Sequence, residues 1–242
     1  MKKIMFILTV TIFVVGCSEN NIKKQKFLGA KGNPKTIKET IYEAFEKFGE
    51  VIEGDVDEVI RYEFDKNGNI QKLTHYNDEG DIVFSESYVF EDGECVETKS
   101  YQKYNNIVST SRLKNRTSKN ETWERETSDG KITTSYSEYD KFTTTIITKD
   151  SENNIVSKQE NTIDNKGNLV EIKVYKEEKV VYWYKTKFDD NSQEIERKML
   201  VSYDEGVFTY KYDSFDKKGN WIKRFEYKDG EIKSLTIREI EY

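Results

Sequence analysis

Phe64-Asp65-Lys66-Asn67-Gly68-Asn69-Ile70, Ile163-Asp164-Asn165-Lys166-Gly167-Asn168-Leu169 and Phe215-Asp216-Lys217-Lys218-Gly219-Asn220-Trp221 share one pattern, apolar-Asp-x-x-Gly-Asn-apolar. Each residue type has a job in a tight turn. The Asp side chain bonds to the backbone that follows it, and Gly and Asn accept the positive φ that hairpin turns require. Looser copies begin near Asn77, Glu91, Ser128, Asp150, Asp189, Asp204 and Lys228. Turn signals recur about every 12 to 15 residues, and Asp164 and Asp216 lie 52 residues apart, four units of 13. The chain is therefore an internal repeat of turns and intervening segments.

The intervening segments alternate. In Trp221-Ile222-Lys223-Arg224-Phe225-Glu226-Tyr227, the residues Trp221, Phe225 and Tyr227 share one face, and Arg224 and Glu226 the other. A 13-residue unit less its turn leaves a strand of nine or ten residues, roughly 30 Å long at about 3.3 Å per residue. Short turns force antiparallel neighbours. The fold class is thus all-β. Lys223 interrupts the aromatic face and Ile222 sits on the charged one, whereas a sandwich predicts sharper segregation. This mixing favours an extended antiparallel β-meander, single-layer or partly curled, over a sandwich or a closed barrel. Residues 36–52 are open to two readings. Ile37, Ile41, Phe45, Phe48 and Ile52 keep helical spacing, but the β-formers Thr36, Ile37, Thr40, Ile41 and Tyr42, with glycines at 49 and 54, suit two further strands.

The chain opens on Met1-Lys2-Lys3 and an apolar run from Ile4 to Val15 that ends in Gly16-Cys17. Twelve residues are too few for a membrane-spanning helix, which takes about 20, but they have the layout of a secretory signal. The Val14-Val15-Gly16-Cys17 ending resembles the lipobox of bacterial lipoproteins, with valine where leucine is commonest. That resemblance implies cleavage between Gly16 and Cys17 and acylation of the Cys17 sulfur. The expected layout is a signal helix over 1–16, a flexible tether over 17–34 and a repetitive β domain over 35–242. The expected location is a bacterial cell envelope, lipid-anchored at the outer membrane or cell surface. An ordinary cleaved signal and a retained anchor are the alternatives.

The repeat itself resembles the YD-repeat of Rhs-type and teneurin-type proteins over residues 55–242, with Phe64, Phe215 and Ile163 where a tyrosine usually precedes Asp. This resemblance implies an open antiparallel β-repeat array at the envelope. Toxin delivery does not carry over, because the chain lacks the proline-rich cleavage core and the C-terminal toxin domain.

Composition narrows the function. The formal net charge is −6 and charged residues make up 35% of the chain, with no basic stripe, so nucleic acid is not an expected partner. The 16 Tyr, 13 Phe and 3 Trp argue against disorder. Asp65-x-Asn67-x-Asn69 mimics the start of a calcium loop, but its sixth and twelfth positions are Ile70 and Tyr76, where an EF-hand needs Gly and Glu. No metal and no cofactor are expected. Cys95 is read as a lone structural residue, and His75, the single histidine, has no nucleophile motif around it. The expectation is therefore not an enzyme, with a carboxylate-based glycan hydrolase as a distant alternative. Trp123, Trp183 and Trp221, with Tyr182, Tyr184 and Tyr227, are candidates for an aromatic platform or for cross-strand ladders. The expected role is a binding or scaffold module acting on an envelope protein, peptide or glycan through a sheet surface. A structural module without a ligand is the alternative.

Overall fold

The computed structural model describes residues 30–201 and 204–242. Among them run β1 (Thr36–Lys47), β2 (Glu50–Phe64), β3 (Ile70–Asn77), β4 (Ile82–Glu91) and β5 (Glu94–Gln102). The chain continues through β6 (Ile107–Arg116), β7 (Asn120–Thr127), β8 (Ile132–Tyr139), β9 (Thr143–Asp150) and β10 (Ile155–Ile163). It ends with β11 (Leu169–Lys176), β12 (Lys179–Phe188), β13 (Glu194–Val201), β14 (Asp204–Phe215), β15 (Trp221–Lys228) and β16 (Glu231–Glu241). Each strand pairs antiparallel with the next. β1 also pairs antiparallel with β16, from Thr36↔Glu241 to Glu43↔Ser234, and this closes the sheet into a barrel.

The expected extended meander or partly curled sheet is thus corrected to a closed sixteen-stranded barrel. Hairpin chemistry specifies which strands are neighbours along the chain. It carries no signal for the one pairing made by the two chain ends. The open array implied by the YD-repeat resemblance falls with it, because Asp, Gly and Asn turns serve any antiparallel succession of strands. Residues 36–52 form β1, a turn at Phe48 and Gly49, and the start of β2. Ile37, Ile41 and Phe45 stand four residues apart, a spacing that keeps one face of a strand as well as of a helix, and the register shifts at Ile41/Tyr42 and Tyr42/Ala44 place the extra residues on β2.

The three Asp-x-x-Gly-Asn turns are built alike. Oδ1 of Asp65 accepts the backbone N–H of Asn67 and of Asn69, both at 2.8 Å, and Oδ2 accepts the Asn69 side-chain amide at 2.9 Å. Asp164 and Asp216 repeat these contacts with residues 166, 168, 218 and 220. Gly68, Gly167 and Gly219 take φ of 80°, 86° and 78°, where a side chain is strained. All three turns lie at the barrel end that also holds the first described residue, Ala30, and Tyr242.

These turns make the fold acid-sensitive. Burial alone would raise the carboxyls of Asp164 and Asp216. Hydrogen bonds from Asn168 to the first, and from Tyr242 and Asn220 to the second, outweigh it and hold both below the ordinary 3.8. A carboxyl depressed in the folded state contributes stability above its unfolded value and loses it as pH falls through the folded one. The urea midpoint should therefore drop between pH 5 and pH 3, and drop less in Asp164→Asn/Asp216→Asn. Equal drops in the two proteins would refute this reading.

The large buried side chains gather toward the same end: Ile37, Tyr62, Tyr88, Cys95, Trp123 and Trp221. Toward the opposite end, inward residues such as Ile41, Gln102, Ser157, Tyr182 and Phe208 are only half-buried. The barrel thus has a filled end and a mouth. The seam between β1 and β16 is packed on both faces. Arg238 bonds Glu39 inside, and Leu235, opposite Tyr42 and Phe225, is buried outside.

Candidate functional site

Alternation along each strand assigns one set of residues to the lumen and one to the outer face. On β15, register with β14 and β16 puts Arg224 and Glu226 in the row of Tyr212, Tyr210, Thr236 and Ser234. Tyr210 and Thr236 are buried, so this row faces inward. Phe225 and Tyr227 face out. Trp221 faces in as well, because the strand shifts register between Tyr212 and Phe215. The charged face of this segment therefore lines the lumen, and most of its aromatic face lies outside.

The inner wall carries charge in paired form. Arg238, 4% exposed, donates from Nε to Glu39 Oε1 at 2.9 Å, adds a second bond from Nη2, and lies 3.5 Å over the Trp221 ring. Arg197 ion-pairs Glu194 at 2.7 Å and lies over the rings of Tyr184 and Tyr210. Arg116 donates to Glu121 at 2.5 Å and also bonds Glu94. Tyr88 donates to Glu86 at 2.6 Å, Arg125 donates to Ser109 at 3.0 Å, and His75 pairs with Glu58. Arg224 differs from these. It lies 5.0 Å from the Tyr210 ring and 4.9 Å from that of Trp221. Like Arg197 it has a buried Nε without a hydrogen-bond partner, but unlike Arg116, Arg197 and Arg238 it has no ion pair among the described residues.

Burial drives the titration of this wall. It pushes the hydroxyls of Tyr88, Tyr184 and Tyr210 well up, so they stay neutral donors. Burial also raises the Glu86 carboxyl, against the hydrogen bond from Tyr88, and pushes the Cys95 thiol up to about 11. A thiol so high is a poor nucleophile. Across from the Arg/Tyr/Trp wall, β8 to β10 line the lumen with Ser135, Ser137, Thr144, Thr148, Gln159 and Asn161. Cationic, aromatic and hydroxyl surfaces facing one lumen suit a polar ligand with an anionic group.

The outer face is a lattice of charge. Lys38 meets Glu239 at 2.8 Å, Arg112 meets Glu97 at 2.9 Å, Lys158 meets Glu160 at 2.7 Å and Lys187 meets Glu196 at 2.9 Å. A lysine or arginine facing hydrocarbon costs roughly 2–4 kcal/mol at mid-bilayer, and a membrane barrel shows an apolar band about 25 Å tall. Six exposed outward aliphatics form a row beside the mouth, Ile82, Val108, Ile132, Ile155, Val180 and Leu200, and Val89 stands outward near the filled end. At about 3.3 Å per residue that row is roughly 7 Å deep. Among the described residues the outer wall shows no apolar band of bilayer depth.

The structure disperses the three tryptophans. Trp123, 5% exposed, faces the lumen on β7 and donates to Glu121 at 3.0 Å. Trp221, 7% exposed, faces the lumen on β15. Trp183 faces out, between Lys173 and Leu200, and donates to Glu171 at 2.9 Å. Tyr182 and Tyr184 stack edge-on inside. Gly16 and Cys17 lie outside the described residues. Of the expected tether, residues 30–34 lie against the filled end, where Asn220 bonds both the backbone N–H and the carbonyl of Lys31. Sequence reasoning missed Glu39, Arg197, Arg224 and Arg238 by treating charged rows as solvent-facing. The signal was available in charges that keep phase with Tyr210 and Tyr212.

No protein-family model matches the chain, and no curated protein matches it. Among solved structures, a porin-like protein from Bacteroides uniformis ATCC 8492 is similar over 86% of this chain and 96% of its own, with a TM-score of 0.50 at 12% sequence identity. At that identity the likeness concerns the barrel fold alone.

Proposed function

We propose that this protein is a bacterial envelope lipoprotein whose barrel stands in water on a lipid anchor at Cys17 and binds a polar ligand through its lumen. The single observation that carries this reading is the polarity of the wall, with Lys/Glu lattices outside and paired arginines, tyrosines and tryptophans inside. The envelope location is supported by the signal and lipobox-like ending, and by a barrel fold that a porin-like protein shares. No catalytic step is assigned to it.

Residues 18–242 produced without the signal should remain soluble and monomeric in detergent-free buffer. Dependence on detergent, or aggregation that detergent reverses, would sink the proposal. The likeness to a porin-like protein favours a second reading, a membrane channel. Planar-bilayer recordings separate the two, since a water-standing barrel gives no conductance steps and a channel does.

A further inference from the structure

Five contacts between guanidinium groups and rings join into one ladder on the inner wall. Arg197 lies 5.3 Å from the centre of the Tyr184 ring and 5.9 Å from that of Tyr210. Arg224 lies 5.0 Å from Tyr210 and 4.9 Å from Trp221, and Arg238 lies 3.5 Å from Trp221. Tyr210 and Trp221 therefore each carry two guanidinium groups. Rings covered in this way offer a ligand their edges rather than their faces, so the ladder is a poor stacking platform. What it presents is donors, from guanidinium and phenol edges. The ends of the ladder are neutralised, Arg197 by Glu194 and Arg238 by Glu39. Arg224, in the middle, has no ion pair among the described residues. The Tyr212 hydroxyl beside it is turned to the Glu194 carbonyl at 2.9 Å. Tyr210, 9% exposed, makes no hydrogen bond through its hydroxyl among the described residues. Two neighbouring donors without acceptors, one charged and one neutral, cost the fold stability that a bound acceptor restores.

We propose that Arg224 and the Tyr210 hydroxyl hold the carboxylate of a hydroxylated monocarboxylic acid, a sugar acid in class, and that Glu226 accepts from one of its hydroxyls. The proposal rests on the reading of the lumen as a ligand site and names the ligand class. Glu226 is the next inward residue on β15 toward the mouth, about 7 Å along the strand. It has no ion pair among the described residues and stands between Tyr210 and Ser234. One open cation beside one open anion matches a ligand with a single negative charge and repels a second. A planar guanidinium suits a carboxylate because it can donate two parallel bonds to it, and Tyr210 and Trp221 fix its orientation. Glu226 only accepts, so the body of the ligand has to bring donors. Ser234 and the hydroxyls of β8 to β10 serve the same hydroxylated body. Trp221 and the Arg238–Glu39 pair close the wall on the side of the filled end, so the ligand enters by the mouth.

The test is isothermal titration calorimetry of the full-length protein at pH 7.5 with D-glucuronate, D-glucose and D-glucose 6-phosphate, which share a ring and differ at carbon six. Glucuronate should bind about tenfold more tightly than either of the others, the scale of one charge-assisted hydrogen bond. Arg224→Gln, checked for retained near-UV circular dichroism, should remove that advantage and leave glucose affinity within about twofold. Tyr210→Phe deletes one hydroxyl and should weaken glucuronate about threefold. It carries the test on its own if Arg224→Gln does not fold. Glu226→Gln should tighten glucose 6-phosphate and narrow its gap to glucuronate. Glucose or glucose 6-phosphate binding as tightly as glucuronate overturns the carboxylate assignment and leaves the lumen as a ligand site. Glucuronate affinity unchanged in both Arg224→Gln and Tyr210→Phe overturns the site. Absence of binding by all three sugars overturns the proposal and counts against the luminal reading as well.

Discussion

Arg238→Ala is expected to destabilise the barrel by about 3–5 kcal/mol, the cost of leaving a buried charge without its partner. Arg238 and Glu39 sit directly opposite one another in the only pairing that joins the two ends of the described chain. Two guanidinium nitrogens donate to the one Glu39 Oε1, both residues are buried, and the guanidinium also covers Trp221. Removing the arginine leaves the Glu39 carboxylate, 5% exposed, facing Tyr62 and an apolar Ile37. Glu39→Gln should cost less than Arg238→Ala, since an amide still accepts one bond. Glu39→Met/Arg238→Met should recover much of the loss, because replacing both members of a buried pair with apolar residues of similar volume is often near neutral. Urea unfolding of the three variants measures this. A loss under about 1 kcal/mol for Arg238→Ala would mean that the seam is held by backbone pairing alone.

That seam is also where the sequence is least informative. The turns were legible from Asp65, Asp164 and Asp216 because an Asx-type turn is a local event, completed within five residues. All-β class and antiparallel order follow from those turns. Closure does not, since Thr36 and Glu241 meet across 205 residues of chain. The faces were misjudged for a related reason. In a small core a charged row faces solvent, but a barrel of this girth has an inside that accommodates Arg224 and Glu226 beside Tyr210 and Tyr212. The mixed faces that suggested a thin sheet belong to a barrel that carries charged and aromatic residues on both its inner and its outer face. The dispersed tryptophans have the same origin, since residues 123, 183 and 221 were grouped by type while strand phase sends one of them outward.

Strand phase then predicts how those tryptophans differ. Trp123→Ala should cost about 3–5 kcal/mol, as for a fully buried aromatic. Its ring packs in the buried cluster with Tyr62, Tyr88 and Cys95, and its Nε1–H is one of the donors to Glu121, a carboxylate 3% exposed. The truncation opens a cavity and strips Glu121 of a donor, leaving Arg116 as its remaining ion-pair partner. Trp123→Phe separates the two effects. It keeps most of the packing, loses the hydrogen bond and should cost roughly 1–3 kcal/mol, the penalty for an under-satisfied buried group. Trp183→Ala is the outer-wall control. Its ring is half-exposed and its Glu171 partner keeps Lys173 at 3.1 Å, so the loss should stay near 1 kcal/mol, the scale of a cross-strand pair. Urea midpoints at pH 7 rank the three. Were Trp183→Ala to cost as much as Trp123→Ala, the outer wall would be as buried as the inner one, and the water-facing assignment of the barrel would fail.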